Sequence, residues 1–195
     1  LGTRYEIEHV YFKPFPSCRG THAFIEGIQG LRAAHRFNAN DVERVDLGGN
    51  ALAINGHDYK HYDNVLDAQM SVPFTAALAL LHGDVTAQMF LPQTMAQPEL
   101  RTLVERIDAR IDAECESIYP ARRSAVVSIA LKDGRRLEQR VYDPKGESDN
   151  PLSDADLERK FTTNCEPVIG AARCAALLDC VRGFEKLDGI GAIFG

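Results

Sequence analysis

The chain has 195 residues, 45% of them hydrophobic, enough to bury a core as one domain with a small appendage. Lys and Arg total 22 against 28 for Asp and Glu, a formal charge of −6 with no basic run longer than a pair, which argues against a nucleic-acid or anionic-membrane binder. The longest near-apolar run, "VPFTAALALL", is about half of the roughly 20 residues a membrane span needs, and the N-terminus lacks the pattern of a signal peptide, so a cytoplasmic protein is expected.

In chain order, "RYEIEHVYF" (Arg4 to Phe12) nearly alternates aromatic and β-branched residues and predicts a strand stopped by Pro14 and Pro16. Phe24, Ile25, Ile28, Leu31 and Ala34 recur at helical spacing, with Thr21 as the expected N-cap and Asn38 to Asn40 as the exit. "DVERVDL" (Asp41 to Leu47) alternates as a half-buried strand that "ALAING" extends or pairs with. Ser71, Pro73 and Gly83 then bracket a second helix, apolar on most sides and therefore buried. A short helix is expected over Glu99 to Ile107. "DARIDAEC", "SAVVSIAL" and "RLEQRVYD" read as strands, the last two joined at Asp133-Gly134.

After the polar "DPKGESDNP", Ser153 with Asp156 opens a helix to about Cys165, and Pro167 is placed to begin a last helix rich in small residues. The expected class is α+β, a meander-type antiparallel sheet with helices packed on one face.

Several residue groups carry candidate chemistry. In "YFKPFPSCRGTH" (Tyr11 to His22), a helix beginning near Thr21 offers free N–H groups to an anion. Arg19 beside it suits a carboxylate or phosphate, and the Pro16 to Gly20 loop can fold Lys13 towards the same spot. His22 falls about 160° from the apolar stripe at 100° per residue, so it faces away from its helix's own core. The same pattern also describes an ordinary proline-rich lead-in to a helix, and Cys18 fits a buried thiol equally well. "HDYKH" places His57 and His61 at the i, i+4 spacing of helical zinc ligands, but Asn55-Gly56 favours a turn and no third ligand is placed, so a solvated loop is expected. "GIGAIFG" (Gly189 to Gly195) has the glycines of a dinucleotide loop without the strand before or the helix after. Ser71 lacks a Gly-x-Ser-x-Gly setting. The five cysteines lack zinc or iron–sulfur ligand spacing and are expected as reduced thiols, with no metal.

At "KPFPSCRGTH" the sequence resembles the MmgE/PrpD family, whose members carry Lys-Pro-aromatic-Pro-x-Cys-Arg followed by Thr-His. "QMSVPFTAALALLHGDVT" (Gln69 to Thr86) resembles the family's buried helix. "DPKGESDNPLSDADLERKF" (Asp143 to Phe161) resembles its Lys-Gly, Asn-Pro-Leu-Ser and Lys-Phe stretch. The resemblance is to the family's smaller, C-terminal α+β lid domain. It implies one such domain over residues 1–195, with 151–195 a helical extension and the N-terminal all-helical domain absent.

It further implies a dehydratase, decarboxylase or epimerase that needs no cofactor or metal and acts on a small di- or tricarboxylic acid by proton abstraction next to a carboxylate. Lys13 and His22 are the implied catalytic groups, Arg19 a carboxylate contact, and Cys18, Gln69 and Ser71 lining residues. The implied partners are that acid, a second copy in a homodimer and the helical domain, with no nucleic acid or membrane. The other reading is a catalytically silent domain serving dimerisation or regulation.

Overall fold

A computed structural model describes residues 2, 3, 5–187, 189 and 191. The chain falls into two compact units, Leu1–Pro151 and Leu152–Gly195.

The first unit opens without the expected strand. Glu6–His9 is a turn of 3-10 helix, and Ile7, Val10 and Phe12 are exposed. Alternating aromatic and β-branched residues favour a strand only where a half-buried sheet surface receives them. Here, among the described residues, the segment's one backbone bond to a distant element is from Phe12 N to Gly146 O, 2.9 Å. Pro14 and Pro16 cannot donate to a ladder.

Helix α1, His22–Ala34, is preceded by a 3-10 turn, Arg19–Thr21. Thr21 is not the side-chain cap expected of it. Its φ and ψ of −87° and −15° are already helical, and its hydroxyl donates to Cys18 O at 2.9 Å. Strand β1, Val42–Gly49, leads into a short helix α2, Ala51–Ile54, where a strand extension was expected; Asn50 Oδ1 accepts from Ala53 N and starts the turn. Helices α3, Val65–Met70, and α4, Val72–His82, follow. α4 has the ends its sequence predicts: Ser71 accepts from Phe74 N, Pro73 lies in the first turn, and Gly83 closes it with φ 79°.

Helices α5, Pro92–Met95, and α6, Pro98–Glu105, lead to β2, Ile107–Ile111. α6 therefore ends before Ile107. The predicted strand through Cys115 is cut at Asp112, whose carboxylate caps α7, Ala113–Ile118, by accepting from Cys115 N. Strands β3, Ala125–Leu131, and β4, Arg136–Val141, form the predicted hairpin, with Gly134 at φ 89°.

The sheet is open, with order β2-β1-β3-β4. β1 pairs with β3, and β3 with β4, in antiparallel fashion, but β1 and β2 run parallel. The sheet is mostly antiparallel without being a pure meander, because a parallel pair needs a long crossover and the chain between β1 and β2 supplies five helices. Phe24, Ile25, Ile28 and Leu31 of α1 join Val45, Leu47, Val127, Ile129 and Val141 in one buried core. Gly27 lets the helix approach: an added Cβ would come within 2.7 Å of Val127. α4 packs on α1 and α6 with almost every side chain buried. The sheet's other face carries Asp46, Ser128 and Glu138 in register across three strands.

In the second unit, α8, Asp154–Ile169, begins with the predicted Ser153 and Asp156 capping box and packs on α9, Ala171–Arg182. Pro167 lies inside α8 instead of starting a helix. A proline past the first turn forfeits its own i→i−4 bond, and the helix ends soon after it, at Gly170, with φ 79° and ψ 156°. Most of the Gly189 to Gly195 glycine segment lies outside the described residues. Among the described residues, no helix is long and apolar enough to cross a membrane.

Candidate functional site

The predicted segment Lys13 to His22 wraps around Arg19, whose side chain is 5% exposed. The guanidinium has five N–H donors in a rigid fork, and the protein engages every one. Nε and Nη2 donate to Glu147 Oε1 at 3.0 and 2.6 Å, and Nη2 also to Pro144 O at 3.2 Å. Nη1 donates to Lys145 O at 3.3 Å and to His22 Nδ1 at 2.8 Å. In this conformation Arg19 ties the 11–22 segment to the 143–150 loop, with all its donors inside the protein.

That loop is built to receive it. Gly146 has φ 93°, and an added Cβ would lie 1.9 Å from Phe12 O, so only glycine lets the two segments touch. Gly146 N donates to Asn150 O, and Asn150 Nδ2 to Asp143 O, closing the loop on itself. Lys145 N donates to Glu26 Oε2 on α1 at 2.7 Å. Tyr11 presents its ring to both Arg19, 5.0 Å away, and Arg123, 5.7 Å away.

His22, expected to face away from its helix's own stripe, is fully buried, with Phe15 edge-on at 5.2 Å. A guanidinium can only donate, so Nδ1 accepts and the neutral ring carries its proton on Nε2. Lys13 is exposed, and its Nζ donates to Ser17 O at 3.2 Å. Ser17 and Thr21, both buried, share a hydroxyl contact of 2.8 Å beneath it.

The three lining candidates also meet this segment or its support. Cys18 N donates to Gln69 O, and Gln69 Nε2 donates to Pro16 O, both at 2.9 Å, so Gln69 grips the proline loop from two sides. Ser71 is fully buried and donates to Tyr59 O at 2.7 Å while it caps α4. Its hydroxyl is therefore committed to holding two elements together. Tyr59 has its phenol pKa raised by burial first, then by Asp67 and Cys18, and it donates to Asp67 O at 2.8 Å. It stays protonated through neutral pH.

Beside Cys18 and Arg19 opens a cleft of about 290 Å³, also lined by Asn50, Leu52, Ala53, His57, Met70, Arg123 and Ser124. His57 thus sits at its wall, whereas His61 is a solvated loop residue 3.1 Å from Asp63. The two histidines do not share a helix, and among the described residues no cluster of three or more His, Cys, Asp or Glu side chains could hold a metal ion. Glu147, Tyr11, Asn50 and Arg123 escaped prediction. Asn50 acts through its local cap on Ala53 N, and the others join the site through contacts more than a hundred residues apart or through a ring face.

The family model for the MmgE/PrpD C-terminal domain matches residues 15–186. The chain is 25% identical over 187 residues to the cis-aconitate decarboxylase of Mus musculus, covering 93% of this chain and 38% of the relative. It is 22% identical over 193 residues to the cis-aconitate decarboxylase of Homo sapiens, with the same coverage. The chain thus spans about 38% of the length of these curated relatives. The match runs through the Lys13 to His22 segment from Phe15 onwards, the α4 helix and the loop that holds Arg19, and the chain belongs to the MmgE/PrpD family, as its C-terminal domain.

Proposed function

We propose that this chain is the C-terminal domain of a cofactor-independent lyase or isomerase that abstracts a proton next to a carboxylate of a small di- or tricarboxylic acid. The observation that carries the reading is the convergence of the family's two charged segments, residues 11–22 and 143–150, on Arg19 beside a cleft. Two curated relatives named cis-aconitate decarboxylase support the substrate class. Proton removal builds enediolate-like charge, and fixed cations and hydrogen-bond donors stabilise it most when water is excluded.

Within this reading Lys13, the exposed member, meets the substrate and polarises a carboxylate. His22 is the second catalytic candidate, with its tautomer set by Arg19 so that Nε2–H can donate. Its burial favours a part in proton transfer only after the surrounding segment rearranges, and otherwise a part in positioning. Arg19 acts by holding the segment. The exposed Ile7, Val10 and Phe12 beside Lys13 support a covering helical domain that completes the site.

The test is turnover by the full-length gene product against a panel of such acids, with Lys13→Ala and His22→Gln. Lys13→Ala is expected to lower kcat by about 10²–10⁴-fold with the melting temperature unchanged. Normal turnover in both variants sinks the assignment, and a folded parent protein inert on every acid favours the silent, dimerising domain.

A further inference from the structure

The cleft beside Cys18 has a composition that its neighbours do not explain. Its lining includes Arg19 and Arg123 and no acidic residue. Glu147, next to both, is shared, since Oε1 takes two bonds from Arg19 and lies 3.5 Å from Arg123 Nε, while Glu116 at the Asn50 side is engaged by Ala51 N. One carboxylate oxygen thus serves both guanidinium groups. Arg123 is held in place between the Tyr11 and Tyr119 rings, at 5.7 and 6.0 Å.

Three further polar groups stand at the same wall with bonding capacity in hand. Ser124 is 2% exposed, and its hydroxyl lies near the Cys115 thiol but makes no hydrogen bond of normal geometry among the described residues. His57 Nδ1 is buried and likewise without a hydrogen-bond partner among them. Asn50 is 4% exposed and commits its carbonyl oxygen to Ala53 N, leaving its amide N–H groups as donors. A buried polar atom left without a partner is destabilising by about 1–3 kcal/mol, so such atoms collected in one cleft point to a ligand. Leu52, Ala53 and Met70 supply the apolar remainder of the lining.

We infer that this cleft is a carboxylate subsite: Arg123 receives one carboxylate of a short-chain acid, Ser124, Asn50 and His57 hydrogen-bond it, and the carbon skeleton lies on Leu52, Ala53 and Met70. The volume of about 290 Å³ suits a small acid, since sites for drug-sized ligands run from roughly 300 to 1,000 Å³. The identity of that acid as a substrate rests on the function proposed above; the binding of an anion does not.

The experiment titrates the full-length gene product with cis-aconitate, with maleate and with the neutral maleic diamide, by calorimetry, and measures turnover in parallel. Both acids are expected to bind saturably and the diamide not at all. Arg123→Gln should weaken binding about tenfold or more, and Ser124→Ala about three- to tenfold, as loss of charge-assisted and neutral hydrogen bonds implies. Arg123→Lys, which keeps the charge without the fork, should fall between and serves if Arg123→Gln unfolds. Arg136→Gln, at the exposed first residue of β4, controls for net charge and should bind as the parent does.

Binding within twofold of the parent in both Arg123→Gln and Ser124→Ala overturns the subsite, as does equal weakening by Arg136→Gln. Lys13→Ala separates the two readings. Arg123-dependent binding in a protein that turns over no acid leaves the subsite standing and removes the catalytic role. Turnover that is sensitive to Lys13 but indifferent to Arg123 and Ser124 does the reverse.

Discussion

Arg19 Nη1 lies 2.8 Å from His22 Nδ1, three residues away at the start of α1, while the same guanidinium grips Glu147 from 128 residues downstream. One side chain thus sets a histidine tautomer and fastens the loop that covers it. Its burial makes the arrangement all-or-none, because removing one partner strands the charge of the other.

Arg19→Lys is therefore expected to behave almost like Arg19→Ala. A lysine ammonium is a point charge with three donors and cannot span Glu147, two carbonyls and His22 together. Urea denaturation should register a loss of about 3 kcal/mol for either change. A lysine variant as stable as the parent would show that charge alone, without the fork, holds the loop.

Gly146 is the second point of no tolerance. Alanine there meets both a φ of 93° and a Cβ position 1.9 Å from Phe12 O, so backbone must move. Gly146→Ala is expected to destabilise by about 2–4 kcal/mol and to expose residues 5–13 to limited proteolysis. If cleavage of that segment is no faster than in the parent, the loop does not clamp it.

What was legible beforehand follows the range of the interactions. α4 could be read from its own residues, since Ser71, Pro73 and Gly83 act within one turn of its ends. So could the β3–β4 hairpin, from Asp133-Gly134. The Arg4 to Phe12 strand failed because propensity cannot say whether a sheet edge is offered, and α2 and α7 failed because single capping residues, Asn50 and Asp112, turn the chain into a helix where a strand was expected to continue. In the site, the order Lys13, Cys18, Arg19, His22 was visible, but not that Arg19 points inward to Glu147. That contact exists only once the sheet brings residue 147 to α1.

The core beneath the site makes its own prediction. Phe74 is fully buried, with Tyr62 at 4.4 Å and Phe90 at 5.8 Å between ring centroids. Phe74→Ala should be destabilising by about 3–5 kcal/mol through lost burial and a cavity the three rings cannot close. Leu52→Ser, at an exposed position, should change stability by no more than about 0.5 kcal/mol. Equal losses for the two in a thermal or urea series would mean that α4 is not the core element its burial indicates.

Stability should also depend on pH through His82, the last residue of α4. Burial pushes its pKa down, and Arg32, whose Nη1 donates to Leu80 O at the same helix end, pushes it further. The folded pKa lies below the unfolded value of about 6.5, so above that pH the ring is neutral in both states and contributes no slope. As pH falls through about 6.5 the unfolded chain takes up the proton first, and stability drops until the folded pKa is reached. The urea midpoint of the parent should therefore fall between pH 7.5 and 5.5, and His82→Gln should flatten that fall because its amide stays neutral throughout. An undiminished pH slope in His82→Gln would assign the effect to another group.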